Sequence, residues 1–510
     1  MPDISALQRR LPPVWRLSQP PGGPEHVRIV LPSYNVGPSA LAQYAARVPA
    51  LEHRYLVDVL LAAHVEGCSV LFVLSRAPEP AVLDYLLSLL PAEARARVRS
   101  RLRTVVVPGS SDRPLSARLL DRPDLLQQIR RLVGGRPAMI EPWNVTDDEV
   151  AIAAALQVPL DGTPPGLWPL AFKSAGRKLL TAAGVPVAPG REDVQTPEDV
   201  ERAIRQLRGE HPDLGSVVVK LDNSVAGAGN QRIPLWDADG SPSSDATVAE
   251  RVAAMPDWYL AEMALGAVVE AYVAGDRWSS PSVQVQITPD GRAEVLATHE
   301  QVLGGEHGQV YLGCRFPARR QYATQLTAYG RAVGEELAAR GAIGMLSVDF
   351  AAVRERGTSW RVYALEVNLR RGGTTPPIVV LSSLLPGRYD GHRRWRLPDG
   401  SARFYWATDN LVHDRWTGLP PAEVIEGVRR AGLGFDPQRG TGVVLHTLTG
   451  LAIDGRIGMV VIGRTLGEAR RMFAAVDPVV HGVCDEWTAG RASGVVASAV
   501  AADVTALSTT

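Results

Sequence analysis

Two apolar segments around a short polar turn restrict the architecture of this chain more than any other feature. "IGMLSVDFAAV" (343–353) and "RVYALEVN" (361–368) flank Arg-Gly-Thr-Ser, and both alternate apolar with polar residues. Side chains on a strand change face at every residue, so the pattern predicts a hairpin. Asp349 lies on its first strand, and Glu366 and Asn368 project together from its second. A carboxylate within an apolar strand is costly unless it is paired or metal-bound. Three hard oxygen donors on paired strands suit Mg²⁺, which takes few protein carboxylates and leaves positions for water and phosphate. Arg370, Arg371 and a Gly-Gly turn follow at once.

The basic residues point the same way. Of 54 only three are lysine, namely Lys173, Lys178 and Lys220, and the rest are arginine. A lysine kept against that bias marks a place where a compact ammonium serves better than a planar fork. Lys178 reads as solvent-facing on a helix. Lys220 ends the β-branched run "VVVK", and a loop of small residues with Ser224, Gly227 and Gly229 follows. Such a loop turns backbone N–H groups toward an anion, although a plain hairpin fits this stretch about as well. "AVVEAYVAGD" places Glu270 at an apolar strand end. Exposed backbone at Ala271 to Val273, with Tyr272 alongside, suits a purine edge; taken alone, an edge strand and turn explain it better.

Short apolar runs at 27–31, 69–74, 103–108 and 138–143 alternate with helical patterns, which predicts a doubly wound parallel domain over 1–165. No GxGxxG follows its first strand, which argues against a dinucleotide site. "VPLDGTPPGLWPL" marks a boundary, and the residues with chemistry fall in 166–385. A small α+β domain is expected over 386–487 and a mobile tail over 488–510. Equal numbers of acidic and basic residues, 54 each, give no global field for nucleic acid or an acidic membrane. Cys68, Cys314 and Cys484 form no CxxC pair, so a reducing cytoplasm without structural zinc is expected. No apolar run is long enough to span a bilayer, and the N-terminus carries no apolar leader core.

Strand, lysine, small-residue loop, glutamate hinge, then Asp and Glu-x-Asn on a hairpin is an order that resembles the ATP-grasp ligases. "RIVLPSYNV", "LEHRYL" and "GTGVVLHTLTGLAIDGRIGMVVIG" extend the resemblance to pheganomycin-type peptide ligases, across nearly all of the chain to about residue 487. It implies a pre-ATP-grasp domain, a central ATP-grasp fold and a C-terminal α+β domain, with ATP and Mg²⁺ as cofactors. Lys173 is then similar to the first nucleotide lysine and Lys220 to the second. Glu270 with the backbone of Ala271 and Val273 matches the adenine hinge; Arg277 falls near where a ribose-binding acid is common, which leaves Asp276 as a weak substitute. Asp349, Glu366 and Asn368 match the metal ligands. Ser347 stands where many members carry arginine.

The implied reaction joins an amino-acid or small carboxylic acid to an amine, amino acid or peptide through an acylphosphate, in peptide natural-product biosynthesis. Arg370 or Arg371 is expected to bind the acylphosphate. "HEQVLGGEHGQVYLGCRF", with His299, Glu300, His307 and Arg315, is expected to close over the substrates as a loop. A carboxylate–thiol ligase and a phosphotransferase would use the same ATP site. Neither nucleic acid nor membrane is an expected partner, and a homodimer is compatible with the family.

Overall fold

The structure, a computed structural model, describes residues 3–37, 41, 42, 44–224, 229–305 and 310–507, with side chains described to residue 490. The chain divides into two compact units. One comprises Met1–Trp15, Glu141–Ile378 and Arg388–Trp395; the other comprises Arg16–Ile140, Val379–Gly387 and Arg396–Thr510.

In the second unit, four strands form a sheet: β1 (Gly22–Leu31), β2 (Glu66–Leu74), β3 (Leu102–Val106) and β4 (Ala138–Pro142), in the order β3-β2-β1-β4. The β1–β2 and β2–β3 pairs are parallel, with Ile29 beside Leu71 and Val73 beside Val105. β1, β2 and β4 hold continuous buried runs and β3 is half-exposed at the sheet edge, and helices such as Pro80–Ser88 and Ala92–Arg101 supply the crossovers. All four expected strands are present. The C-terminal part of the unit has three antiparallel strands, Ala402–Val412, Arg456–Gly463 and Gly442–His446. "LEHR" ties the two parts of this unit together. The Glu52 carboxylate accepts from Ser75 N and Oγ at 2.6 and 2.7 Å, the His53 ring meets Thr449 Oγ1, and Arg54 pairs with Asp409. The stretch expected as a tail has helical backbone to Leu507, within a helix that begins at Leu466. Its alanines favour helix, and no proline interrupts the residues beyond 488.

The first unit carries two sheets. β5 (Gly190–Val194), β6 (Ser216–Leu221), β7 (Asn230–Pro234) and β8 (Ala267–Ala271) run in the order β5-β8-β6-β7. Val217, Val219 and Val269 of this sheet pack with Leu207 and Tyr259 in one core. The larger sheet contains β9 (Arg277–Ile287), β10 (Ala293–Gly304), β11 (Val310–Phe316), β12 (Gly344–Arg354) and β13 (Arg361–Asn368), in the order β13-β12-β9-β10-β11. Helix Ala323–Ala339 covers one of its faces. A Cβ at Gly330 would come within 2.3 Å of Val283, so glycine is what lets this helix approach so closely.

Candidate active site

The predicted hairpin is β12–β13, and its register sets Asp349 directly opposite Glu366 and Ser347 opposite Asn368. A bulge follows Asp349. Asn368 Nδ2 donates to Asp349 Oδ2 at 3.1 Å and approaches Glu366 Oε1 at 3.4 Å. Gln301 Nε2 donates to the other Asp349 oxygen at 2.8 Å, and Lys173 pairs with Glu366 Oε2. Burial first, and the facing Glu366 charge second, push the Asp349 carboxyl well above the usual range. The Lys173 ammonium holds Glu366 well below it. Two facing carboxylates of opposite tendency make a site that attracts a cation.

Among the described residues no three His, Cys, Asp or Glu side chains gather to hold a metal. The donor set here is two carboxylates and an amide. An amide also offers an oxygen when turned over, so all of its members can present hard oxygen, which fits Mg²⁺.

Lys173 opens the helix Lys173–Ala182, and Asp222 fixes that helix end. Its Oδ1 accepts from Ser174 N and Oγ at 2.9 and 2.8 Å. Asp222 lies two residues beyond Lys220, so one loop base anchors both lysines. Lys220 pairs with Glu270, which is 3% exposed and also takes Arg177 Nη1 at 2.6 Å. Arg177 further reaches Glu192 at 2.9 Å and the Ala188 carbonyl at 2.8 Å. At the expected hinge, the Ala271 N–H goes to Pro189 O and the Tyr272 N–H to Ser216 O. The Val273 N–H is engaged by no hydrogen bond among the described residues. The Tyr272 ring lies under the Arg232 guanidinium at 4.0 Å. Asp276 accepts the Arg356 N–H at 2.7 Å and so closes the β12–β13 turn. Ser224 Oγ donates to Leu221 O, and a Cβ at Gly229 would sit 2.5 Å from Ser224. Gly227 and His307 lie outside the described residues.

The two arginines after β13 separate. Arg370 holds its guanidinium 5.1 Å from the Trp143 ring centroid, and among the described residues it makes no side-chain hydrogen bond or ion pair. Arg371 is buried, and its N–H goes to Trp143 O at 3.2 Å. The expected closing loop is corrected outside 306–309: His299 to Gly304 lie on β10 and Val310 to Phe316 on β11. Antiparallel pairing of the two strands, from Glu300 opposite Arg315 to Gly304 opposite Val310, outweighs the glycines there. His299 is buried, and burial pushes its ring down to about 3. Arg315 pairs in register with Glu300, and Glu300 lies opposite Pro281, whereas Gln301 lies opposite Ser280 and Asp349 opposite Ser282. Arg315 therefore projects from the face opposite Asp349. Glu300 there also accepts from Tyr322 OH at 2.5 Å and from the Arg319 N–H at 3.0 Å.

Gln301, Arg177, Asp222 and Trp143 were not singled out from sequence. Arg177 had a signal, one helical turn after Lys173. Gln301 had none, because only the strand order brings β10 within reach of β12.

A four-stranded sheet carrying Lys220, a helix whose first residue Lys173 pairs with Glu366, and an acidic hairpin on a larger sheet form the fold of an ATP-grasp carboxylate–amine ligase. A family model described as IQCH-like, ATP-grasp matches residues 252–377, and one described as PGM1 C-terminal domain matches 423–476. L-propargylglycine–L-glutamate ligase of Streptantibioticus cattleyicolor is 31% identical over 412 residues, which cover 78% of this chain and 83% of that one. The chain belongs to the family of that ligase. IQ motif-containing protein H of Danio rerio is 22% identical over 72% of this chain, which spans 39% of that protein. The biotin carboxylase domain of Hydrogenobacter thermophilus 2-oxoglutarate carboxylase matches with a TM-score of 0.53 at 12% identity, over 88% of this chain and 89% of that one. N5-carboxyaminoimidazole ribonucleotide synthetase in its ADP complex matches at 0.50 and 16% identity, over 91% and 98%. At these identities the solved structures share the fold alone. Among the described residues, no helix is long and apolar enough to cross a membrane.

Proposed function

We propose that the protein is an ATP-dependent carboxylate–amine ligase that makes an amide through an acylphosphate, in the biosynthesis of a peptide natural product. The observation that supports this most is the facing pair Asp349 and Glu366 with an uncommitted Arg370 guanidinium beside it. The name of the Streptantibioticus relative favours two amino acids as substrates.

Asp349, Glu366 and Asn368 would hold Mg²⁺, which when bound neutralises phosphate charge. Lys173 and Lys220 supply ammonium groups to the phosphates, and the Val273 N–H supplies a donor to the adenine edge. A carboxylate oxygen of the acid attacks the γ-phosphorus, and ADP leaves. The amine nitrogen then attacks the carbonyl carbon, phosphate leaves with the bridging oxygen, and the amine loses a proton. Arg370 can grip two oxygens of the acyl group at once and so spread charge in both steps. No protein nucleophile is needed.

The test supplies ATP, Mg²⁺ and a panel of amino acids, with hydroxylamine in place of the amine. The reading expects ADP and a hydroxamate. AMP and pyrophosphate would move the protein to an adenylating class and overturn it.

A further inference from the structure

The two glycines after Arg371 differ in their surroundings. A Cβ at Gly373 would lie 2.6 Å from the Tyr311 ring, so that position is filled by packing. A Cβ at Gly372 would meet only Arg370 Nη1 and Ser347 Oγ, each at 3.9 Å. Gly372 is itself held in place, since its N–H goes to Thr375 Oγ1 at 3.0 Å and its carbonyl accepts the Thr375 N–H at 3.1 Å. Ser347 is 5% exposed, yet among the described residues its hydroxyl has no hydrogen-bond partner. Its oxygen is not fully buried, so the hydroxyl is open on one side and has its proton free for an acceptor there. The guanidinium on the other side of Gly372 has donors to spare. Asn368 lies opposite Ser347, so this small space adjoins the acidic pair.

We infer that Ser347, Gly372 and Arg370 form the subsite for the reacting carboxylate of the acid substrate. Ser347 Oγ–H donates to one oxygen, Arg370 grips both, and the missing side chain of Gly372 sets how wide the acid can be next to its carboxyl group. This rests on the ligase reading above and adds Ser347 and Gly372 as the residues that select the acid. Neither side chain is needed for the nucleotide.

Ser347→Ala deletes one hydroxyl and should raise the KM for the acid on the order of tenfold or more, as loss of a hydrogen bond to a charged group does. The dissociation constant for ATP, measured without acid, should stay within about twofold, well under the tenfold expected for the acid. Gly372→Ala should discriminate against acids branched beside the carboxyl, and Gly372→Val should exclude them. Should Gly372→Val fail to fold, Ser347→Ala carries the test. An unchanged KM for the acid in Ser347→Ala overturns the subsite. Should the wild type release no ADP with any acid, the ligase reading fails by itself. The subsite is then read by titrating L-glutamate into the wild type and Ser347→Ala: weaker binding to the variant supports it, and equal binding overturns it.

Discussion

Glu270→Gln isolates the buried charge cluster behind the small sheet. The substitution keeps the shape of the side chain and removes one charge facing two cations, Arg177 at 4% side-chain exposure and Lys220 at 14%. Arg177 keeps a second carboxylate, Glu192, at 2.9 Å, and the Ala188 carbonyl at 2.8 Å. Lys220 has no other carboxylate within ion-pair reach among the described residues. Breaking a buried pair from one side costs about 3–5 kcal/mol. Because Arg177 stays partly compensated, about 3 kcal/mol is expected. Glu192 is 26% exposed, so Glu192→Gln should cost less than about 1 kcal/mol. Hydrogen exchange of β6 and β8 amides reads these costs locally, which avoids assuming that two units unfold as one. A loss of about 3 kcal/mol speeds exchange roughly a hundredfold, against less than about tenfold for Glu192→Gln. Equal exchange in the two variants would refute the view that Glu270 is the counterion that holds Lys220.

The remaining predictions address the chemistry and the second unit. Glu366→Gln removes one of the two facing carboxylates and should abolish ADP formation with circular dichroism unchanged; near-normal turnover at low magnesium would show that the pair is not the metal site. Arg370→Lys keeps charge but loses the fork, so kcat should fall more than ATP affinity changes, whereas Arg315→Ala should leave the KM for the acid alone and lower stability by exposing Glu300; the reverse pattern would mean the face assignment is wrong. Glu52 is fully buried beside Arg118, and burial raises its carboxyl to about 7. Because the folded value lies above the unfolded one, its favourable contribution is complete below about pH 4.5 and is lost as the pH rises through about 7. Glu52→Gln should therefore gain on the wild type by about 3 kcal/mol between those limits in urea titrations; a difference independent of pH would remove Glu52 as the cause.

The hairpin was legible because its information is local. Alternation fixes which of Asp349, Glu366 and Asn368 share a face, and the short polar turn at 355–360 fixes that the strands pair. The parallel strands of the second unit were legible for a similar reason, as each carries a short apolar run between helices. Arg315 was misplaced because glycines at 304, 305 and 313 read as a hinge, while the register that turns Arg315 away from Asp349 depends on β9, more than 20 residues upstream. Gln301 was invisible for the complementary reason. Its partner lies two strands away, across β9, and no spacing along the chain encodes that order. Beyond 488 the small residues fit a tail and a helix equally well in composition alone, so the helical backbone there was not legible.

The cluster around Asp349 also shows why the site takes its parts from so many elements. Every carboxylate oxygen of Asp349 and Glu366 has a nitrogen partner: Gln301 from β10, Asn368 from β13 for one oxygen of each, and Lys173 from the helix Lys173–Ala182. Only one of these partners carries a formal charge, against two carboxylates. Burial first and the facing Glu366 charge second raise Asp349, while Lys173 keeps Glu366 low, and a further cation at the pair would offset the excess negative charge. Arg370 is near enough to lower both carboxyls, yet its guanidinium stays over Trp143 and not on either of them. Had it closed onto Glu366, its donors would be spent on the protein. Held over the indole, they stay uncommitted, as the proposed grip on a substrate anion would require.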